Sequence, residues 1–299
     1  MKKLFAILAI ALSSITAQAN PQPVQIVWPF APGSTQAVMF RSLIESANQQ
    51  QSKYQFVFVN KPGAGGAIAA NYTTASNTLT VLASTSSFYT RPLMYNESHD
   101  PEQFRLVSAI CLQGPLAMYS RKYTSFNDMK NNSVTVGIIP GSVTQLFTRL
   151  LAQQNPELKF TEVPYKGTPE ATTDMLGRHI DANIDLLSVG TLARMTPDTA
   201  VIGITGTRSL PNMPSMASLK VKGLDNLTNS YYVFVPRSTD NATTQELNRI
   251  FNNAINEAVR ESCNNERGVV EIVSFDRAEK LHQTNQTQWR QITQGIAKQ

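Results

Sequence analysis

In 299 residues, 26 lysines and arginines stand against 21 acids, a formal net charge of +5, and Lys2 and Lys3 supply two of those charges at the start. So small an excess, scattered along the chain and without a recognisable binding motif, argues against a nucleic-acid partner. Three histidines (His99, His179 and His282) and two cysteines, all far apart, offer neither metal-ligand spacing nor material for an acid–base enzyme.

Lys2 and Lys3 lead into an apolar stretch, Leu4 to Leu12, and then Ala17-Gln18-Ala19. This reads as a secretory signal over residues 1–19, cut before Asn20. The apolar run falls short of the ~20 residues that span a bilayer. The expectation is a soluble exported protein, and its ~280 remaining residues suit one large domain or two ordinary ones.

Val24–Trp28 reads as a buried strand, followed by a helix from Val38 to Ala47. Further strands are expected at Phe56–Val59, Val81–Ala83, Val134–Ile139, Thr161–Tyr165, Ile180–Leu186 and Val201–Thr205. Val143, Leu146, Phe147, Leu150 and Leu151 have helical spacing. Thr168-Pro169 predicts an N-cap with proline at the first helical position. Tyr231–Pro236 predicts a late strand that returns the chain to its first part. After it, Thr243 or Thr244 caps a helix carrying Leu247, Ile250, Phe251, Ala254, Ile255, Ala258 and Val259. A last helix runs from Ala278 to near Trp289 and Ile292. His99 falls in a polar loop and His282 on the terminal helix, so both are expected at the surface. Cys111 ends an apolar segment and Cys263 lies in a polar one; an oxidising compartment permits a bridge, and the sequence leaves it open. This alternation predicts an α/β protein with mostly parallel sheets flanked by helices, and ligands at the strands' carboxyl ends.

At three of those ends a strand gives way to a Pro/Gly/Ser turn and a helix that starts at a hydroxyl. The turns are Pro29–Thr35, Pro140–Ser142 and Lys166–Pro169. Unpaired backbone amides and the helix dipole make such turns anion sites. Asn60–Ala67 is glycine-rich but lacks the Gly-Lys-Ser/Thr ending of a phosphate loop, so its glycines are read as shaping a turn beside the cleft. No Gly-x-Ser-x-Gly elbow occurs. A hydrolase built on Ser34 or Ser142 has no recognisable base, so neither enzyme activity nor a cofactor or metal is expected.

Several of these segments resemble the periplasmic receptors of tripartite tricarboxylate transporters, the Bug-type receptors. Pro29-Phe30-Ala31-Pro32-Gly33 resembles that family's first-loop motif, and Asn60-Lys61-Pro62-Gly63-Ala64-Gly65-Gly66-Ala67 its glycine signature. Val163–Gly167 with Asp174–Gly177, and Leu210–Ser215, are similar to two further motifs in the family's order. The resemblance implies a two-lobed, type II-like periplasmic binding protein, with residues 20–118 and 231–299 in one lobe and 119–230 in the other. It implies a monomeric solute receptor that closes on a small organic carboxylate. Its partner would be a two-subunit membrane permease, or a sensor kinase in signalling members. The chain departs from the family's pattern at Ser34 (glycine), Ala37 (aspartate), Gln145 (histidine) and Ile184-Asp185-Leu186 (Phe-Asp-Asn).

The candidate ligand residues follow. Phe30, Pro32, Gly33, Ser34, Thr35 and Gln36 form the first loop. Ser84, Thr85 and Ser86 end a first-lobe strand and offer hydroxyls to the cleft. Ser142, Thr144 and Gln145 begin the second-lobe helix, capping it or donating to the ligand. Tyr165, Lys166 and Gly167 form the third turn. Asp185 takes a ligand amine or water, or orients the loops. Arg41 is expected to pair within the first lobe.

Overall fold

The computed structural model describes residues 20–299, and the leader assigned to residues 1–19 lies outside them. Nine strands join in one sheet: β1 (Gln22–Trp28), β2 (Tyr54–Asn60), β3 (Thr80–Thr85), β4 (Phe104–Ser120), β5 (Ser133–Ile138), β6 (Lys159–Pro164), β7 (Ala182–Leu186), β8 (Ala200–Ile204) and β9 (Thr228–Pro236). Their order is β2-β1-β3-β9-β4-β7-β5-β6, with β8 also paired to β4.

The pairings divide this curled sheet into two mostly parallel lobes. In the first, β1 runs parallel to β2 and β3, and β9 runs antiparallel between β3 and β4. In the second, β5 is parallel to β6 and β7, while β4 runs against β7 and β8. Each lobe thus has one contrary strand. Strand β4 serves both: Phe104–Pro115 pairs with β9, and Leu116–Ser120 with β7 and β8. Its register against β9 shifts at Leu106/Ser108, Ala109/Cys111 and Cys111/Gly114, and Gln113 adopts φ 64° there. Such bulges bend a strand where it changes partners. At that bend Cys111 is disulfide-bonded to Cys263.

Helices cover the sheet: α1 (Thr35–Gln50), α2 (Ala67–Ala75), α3 (Ser87–Met94), α4 (Phe126–Met129), α5 (Val143–Gln154), α6 (Thr168–Leu176), α7 (Val189–Arg194), α8 (Asn241–Asn253), α9 (Glu257–Asn265) and α10 (Phe275–Ile292). The main core packs Trp28, Phe40, Phe88, Phe104, Phe234 and Phe251 between them, and a smaller cluster lies around Tyr119, Met175 and Leu187.

Four helix starts differ from expectation. Gly167, not Thr168, is the N-cap of α6, and Thr168 is its first helical residue. Asp240 caps α8, its carboxylate accepting from the Thr243 amide at 2.8 Å, because a carboxylate one turn upstream outcompetes the threonines. The expected long helix breaks after Asn253, and Asn256 caps α9. Phe251 and Val259 are buried on either side of that break and Ile255 within it, so apolar spacing alone did not mark it. The last helix starts at Phe275, a turn earlier than Ala278.

His99 and His282 are not at the surface, being 5% and 0% exposed. Both rings pack against Phe88, at 4.8 and 6.1 Å between centroids. His99 Nε2 donates to the Phe88 carbonyl at 2.9 Å, and His282 Nε2 to the Pro101 carbonyl at 3.2 Å. Burial lowers both pKa values, that of His99 to about 4. Arg41 makes its first-lobe contact through its guanidinium, 4.6 Å from the Phe58 ring.

Candidate functional site

Two of the three turns face one cavity through capped helix starts. Ser34 caps α1, its Oγ accepting from the Ala37 amide at 3.2 Å. Ser142 caps α5, accepting from the Thr144 amide at 3.1 Å. Thr144 Oγ1 lies 2.8 Å from Ser142 Oγ and accepts from the Ile139 amide at 3.1 Å. The third turn joins them at Gly167, where α6 starts with no side-chain cap, so its first amides are left to the cavity.

A small cavity of about 50 Å³ lies between these turns. Phe30, Ser34, Gln36, Thr85, Ser142, Thr144, Gly167 and Asp185 line it, all of them singled out from sequence. Ser87, Asn229 and Thr168 also line it, with the apolar Leu116, Ile139, Val143 and Leu186. Sequence reasoning missed these. Ser87 lies one residue beyond the expected hydroxyl run, its Oγ 3.0 Å from Thr85 Oγ1. Asn229 comes from β9, distant in sequence, and carries no local signal.

The other candidates lie elsewhere. Pro32 and Gly33 are exposed and off the lining. Gly33 adopts φ 95° with open space where a Cβ would stand, so its role is to turn the chain into α1. The side chain of Thr35 lies outside the described atoms. Ser84 is buried within β3 off the lining, and Ser86 is buried with its Oγ accepting from the Ser230 amide at 3.0 Å. Gln145 is buried with its amide fully engaged. Its Oε1 accepts from the Gly141 amide at 2.7 Å and the Tyr95 hydroxyl at 3.1 Å, and its Nε2 donates to Glu162 at 2.6 Å. It braces the second turn rather than lining the cavity. Tyr165 and Lys166 lie in a neighbouring groove with Pro29, Gly63 and Pro140. The Tyr165 hydroxyl donates to Asp174 at 2.6 Å, and burial with that bond pushes its pKa up to about 12.

The glycine signature meets the other lobe. A Cβ on Gly65 would stand 1.9 Å from the Pro140 carbonyl oxygen, and one on Gly141 2.2 Å from Arg91 Cδ. Thr90 Oγ1 donates to the Gly141 carbonyl at 2.6 Å. The turn before α2 and the start of α3 therefore grip the Pro140-Gly141 turn.

Among the described residues no lysine or arginine lines the cavity, so an anion there would be held by backbone amides, hydroxyls and helix dipoles. Asp185 is the one charged lining group among the described residues, and burial raises its carboxyl pKa above the ordinary range. No group of His, Cys, Asp and Glu among the described residues could hold a metal ion.

Two curled-sheet lobes sharing a strand, with a cavity between their helix starts, define the fold of the periplasmic binding proteins. The solved structure of periplasmic binding protein BugD superposes with a TM-score of 0.81 at 21% identity, covering 93% of this chain and 99% of that one. MatC from Rhodopseudomonas palustris with bound malate superposes at 0.77 and 17% identity, covering 92% and 99%. In sequence, Protein BugT of Bordetella pertussis is 27% identical over 289 residues, 85% of each chain. The family described as tripartite tricarboxylate transporter family receptor matches residues 39–297. The chain belongs to that family, which is one of binding proteins rather than enzymes.

Proposed function

We propose that this protein captures a small organic carboxylate between its lobes, residues 20–118 with 231–299 and residues 119–230, and presents it to a two-subunit permease of the tripartite tricarboxylate type. The observation that carries this reading is the pair of helix starts, α1 at Ser34 and α5 at Ser142, which face one cavity whose lining holds no cationic side chain among the described residues. Uncharged donors of this kind suit a carboxylate that enters and leaves. The bound malate of MatC, a member of the same fold, agrees with that ligand class. The leader over residues 1–19 would deliver the chain to the periplasm, and no helix among the described residues is long and apolar enough to cross a membrane. The hydroxyls of Ser34 and Ser142 cap helices, which favours binding over hydrolysis.

A thermal-shift screen of organic acids against their amides tests this. A ligand that binds the native state raises the melting temperature by mass action. The expected result is a rise for at least one carboxylate and none for its amide. A response that ignores the carboxylate, or no response across the panel, overturns the reading.

A further inference from the structure

α10 rests on the first lobe, where the Tyr89 hydroxyl of α3 donates to His282 Nδ1 at 3.0 Å. After α10 the chain crosses to α5, the helix that follows β5 in the second lobe. Gly295 comes against that helix, so that a Cβ there would stand 2.9 Å from Gln153 Nε2. The Ala297 carbonyl accepts from Arg149 Nη1 at 3.4 Å. The chain then returns to the first lobe. The Gln299 amide donates to the Met94 carbonyl at 2.9 Å, and the Gln299 carbonyl accepts from the Asn96 amide at 2.9 Å. These two bonds bracket Tyr95. Its ring carries the Arg91 guanidinium at 3.7 Å and meets that of Arg149, from α5, at 5.9 Å. Its hydroxyl donates to Gln145 Oε1, also on α5, at 3.1 Å. The Arg149 side chain is 15% exposed, and a cation–π contact strengthens as the cation loses water.

Residues 294–299 are exposed apart from the half-buried Ile296, so they add little to the core. Such a segment can come away without unfolding either lobe. Rotating one lobe against the other would separate α5 from Tyr95 and from Ala297 together. Contacts made in only one arrangement of two bodies shift the population towards that arrangement. We propose that residues 294–299 and Tyr95 form a latch across the two lobes. Docked, the segment holds Tyr95 against α5 and keeps the start of that helix, with Ser142, at the cleft. Detached, it lets the second lobe swing away. The latch acts on the empty protein; its effect on a ligand, slower release, rests on the receptor reading above.

Hydrogen exchange followed by mass spectrometry on the ligand-free protein tests this. One variant ends after Gln294. The other, Tyr95→Phe, keeps the ring and the segment but loses the bond to Gln145. The expected result is exchange about fivefold faster over residues 140–154 in the shortened chain, and a smaller acceleration there in Tyr95→Phe, with β1 and β9 unchanged in both. Unchanged exchange over 140–154 in either variant overturns the inference. So does an acceleration that extends equally to β1 and β9, which would make the segment a support of the whole fold. A carboxylate that binds should leave the shortened chain about fivefold faster, with its association rate altered by less than about twofold. An unaltered release rate overturns the effect on retention. If no carboxylate binds, the receptor reading fails and exchange alone decides the latch.

Discussion

Gln145 stands where the family pattern has histidine, and its three hydrogen bonds explain how the exchange is absorbed. Its amide holds the Gly141 N–H, the Tyr95 hydroxyl and Glu162 at once, fixing the turn that presents Ser142. Gln145→Ala leaves the Gly141 amide without its partner in a buried site. Stability should fall by about 1–3 kcal/mol, read as a lower urea midpoint, and a midpoint within error of the parent would refute the bracing role. His99 gives a pH test at the same scale. Its pKa is about 4 in the folded state against 6.5 unfolded, so between those values the unfolded chain binds the extra proton. The stability it contributes is complete above pH 6.5 and is lost as the pH falls towards 4, by about 2 kcal/mol between pH 7 and pH 5. His282 is shifted in the same direction. His99→Gln, which keeps a donor for the Phe88 carbonyl, should flatten that part of the stability–pH curve; an unchanged slope would show that the loss arises elsewhere.

At the scale of elements, the glycine turn before α2 carries a second consequence. Gly65 adopts φ 56°, and any Cβ there meets the Pro140 carbonyl of the other lobe. Gly65→Ala should hold the lobes apart, weakening any ligand that binds the closed form at least tenfold and enlarging the radius measured by small-angle scattering. A variant that closes and binds normally would remove the turn from the closing contact. Eight strands and the three turns were legible in the sequence because their signals are local: apolar runs, Pro/Gly pairs and capping hydroxyls; β4, the long strand that serves both lobes, was not among the expected strands, and Gly114-Pro115 interrupts its apolar pattern. The caps at Asp240 and Gly167 were missed because threonine competes at neighbouring positions and local propensity decides poorly between them. The burial of His99 and His282 was not legible because Phe88 brings them together from residues 183 apart in sequence. Asn229 and Ser87 enter the cleft through the antiparallel return of β9 beside β3 and β4, a pairing that no window of sequence displays. Gln145 is the converse, a residue in the right motif whose side chain is spent on support.

For the whole molecule, β4 has a consequence for unfolding. A chain in two lobes ordinarily invites two melting steps, one for each. Here a single beam, stapled at its bend by Cys111 and Cys263, supplies hydrogen-bonded edges to both halves. Withdrawing it from either half strips the other of a central strand. Calorimetry should therefore show one transition, with a van't Hoff enthalpy equal to the calorimetric one, and two resolved peaks would contradict it. Neither half is then a portable module: the pair stands or falls as a unit, and loss of either takes the cleft with it.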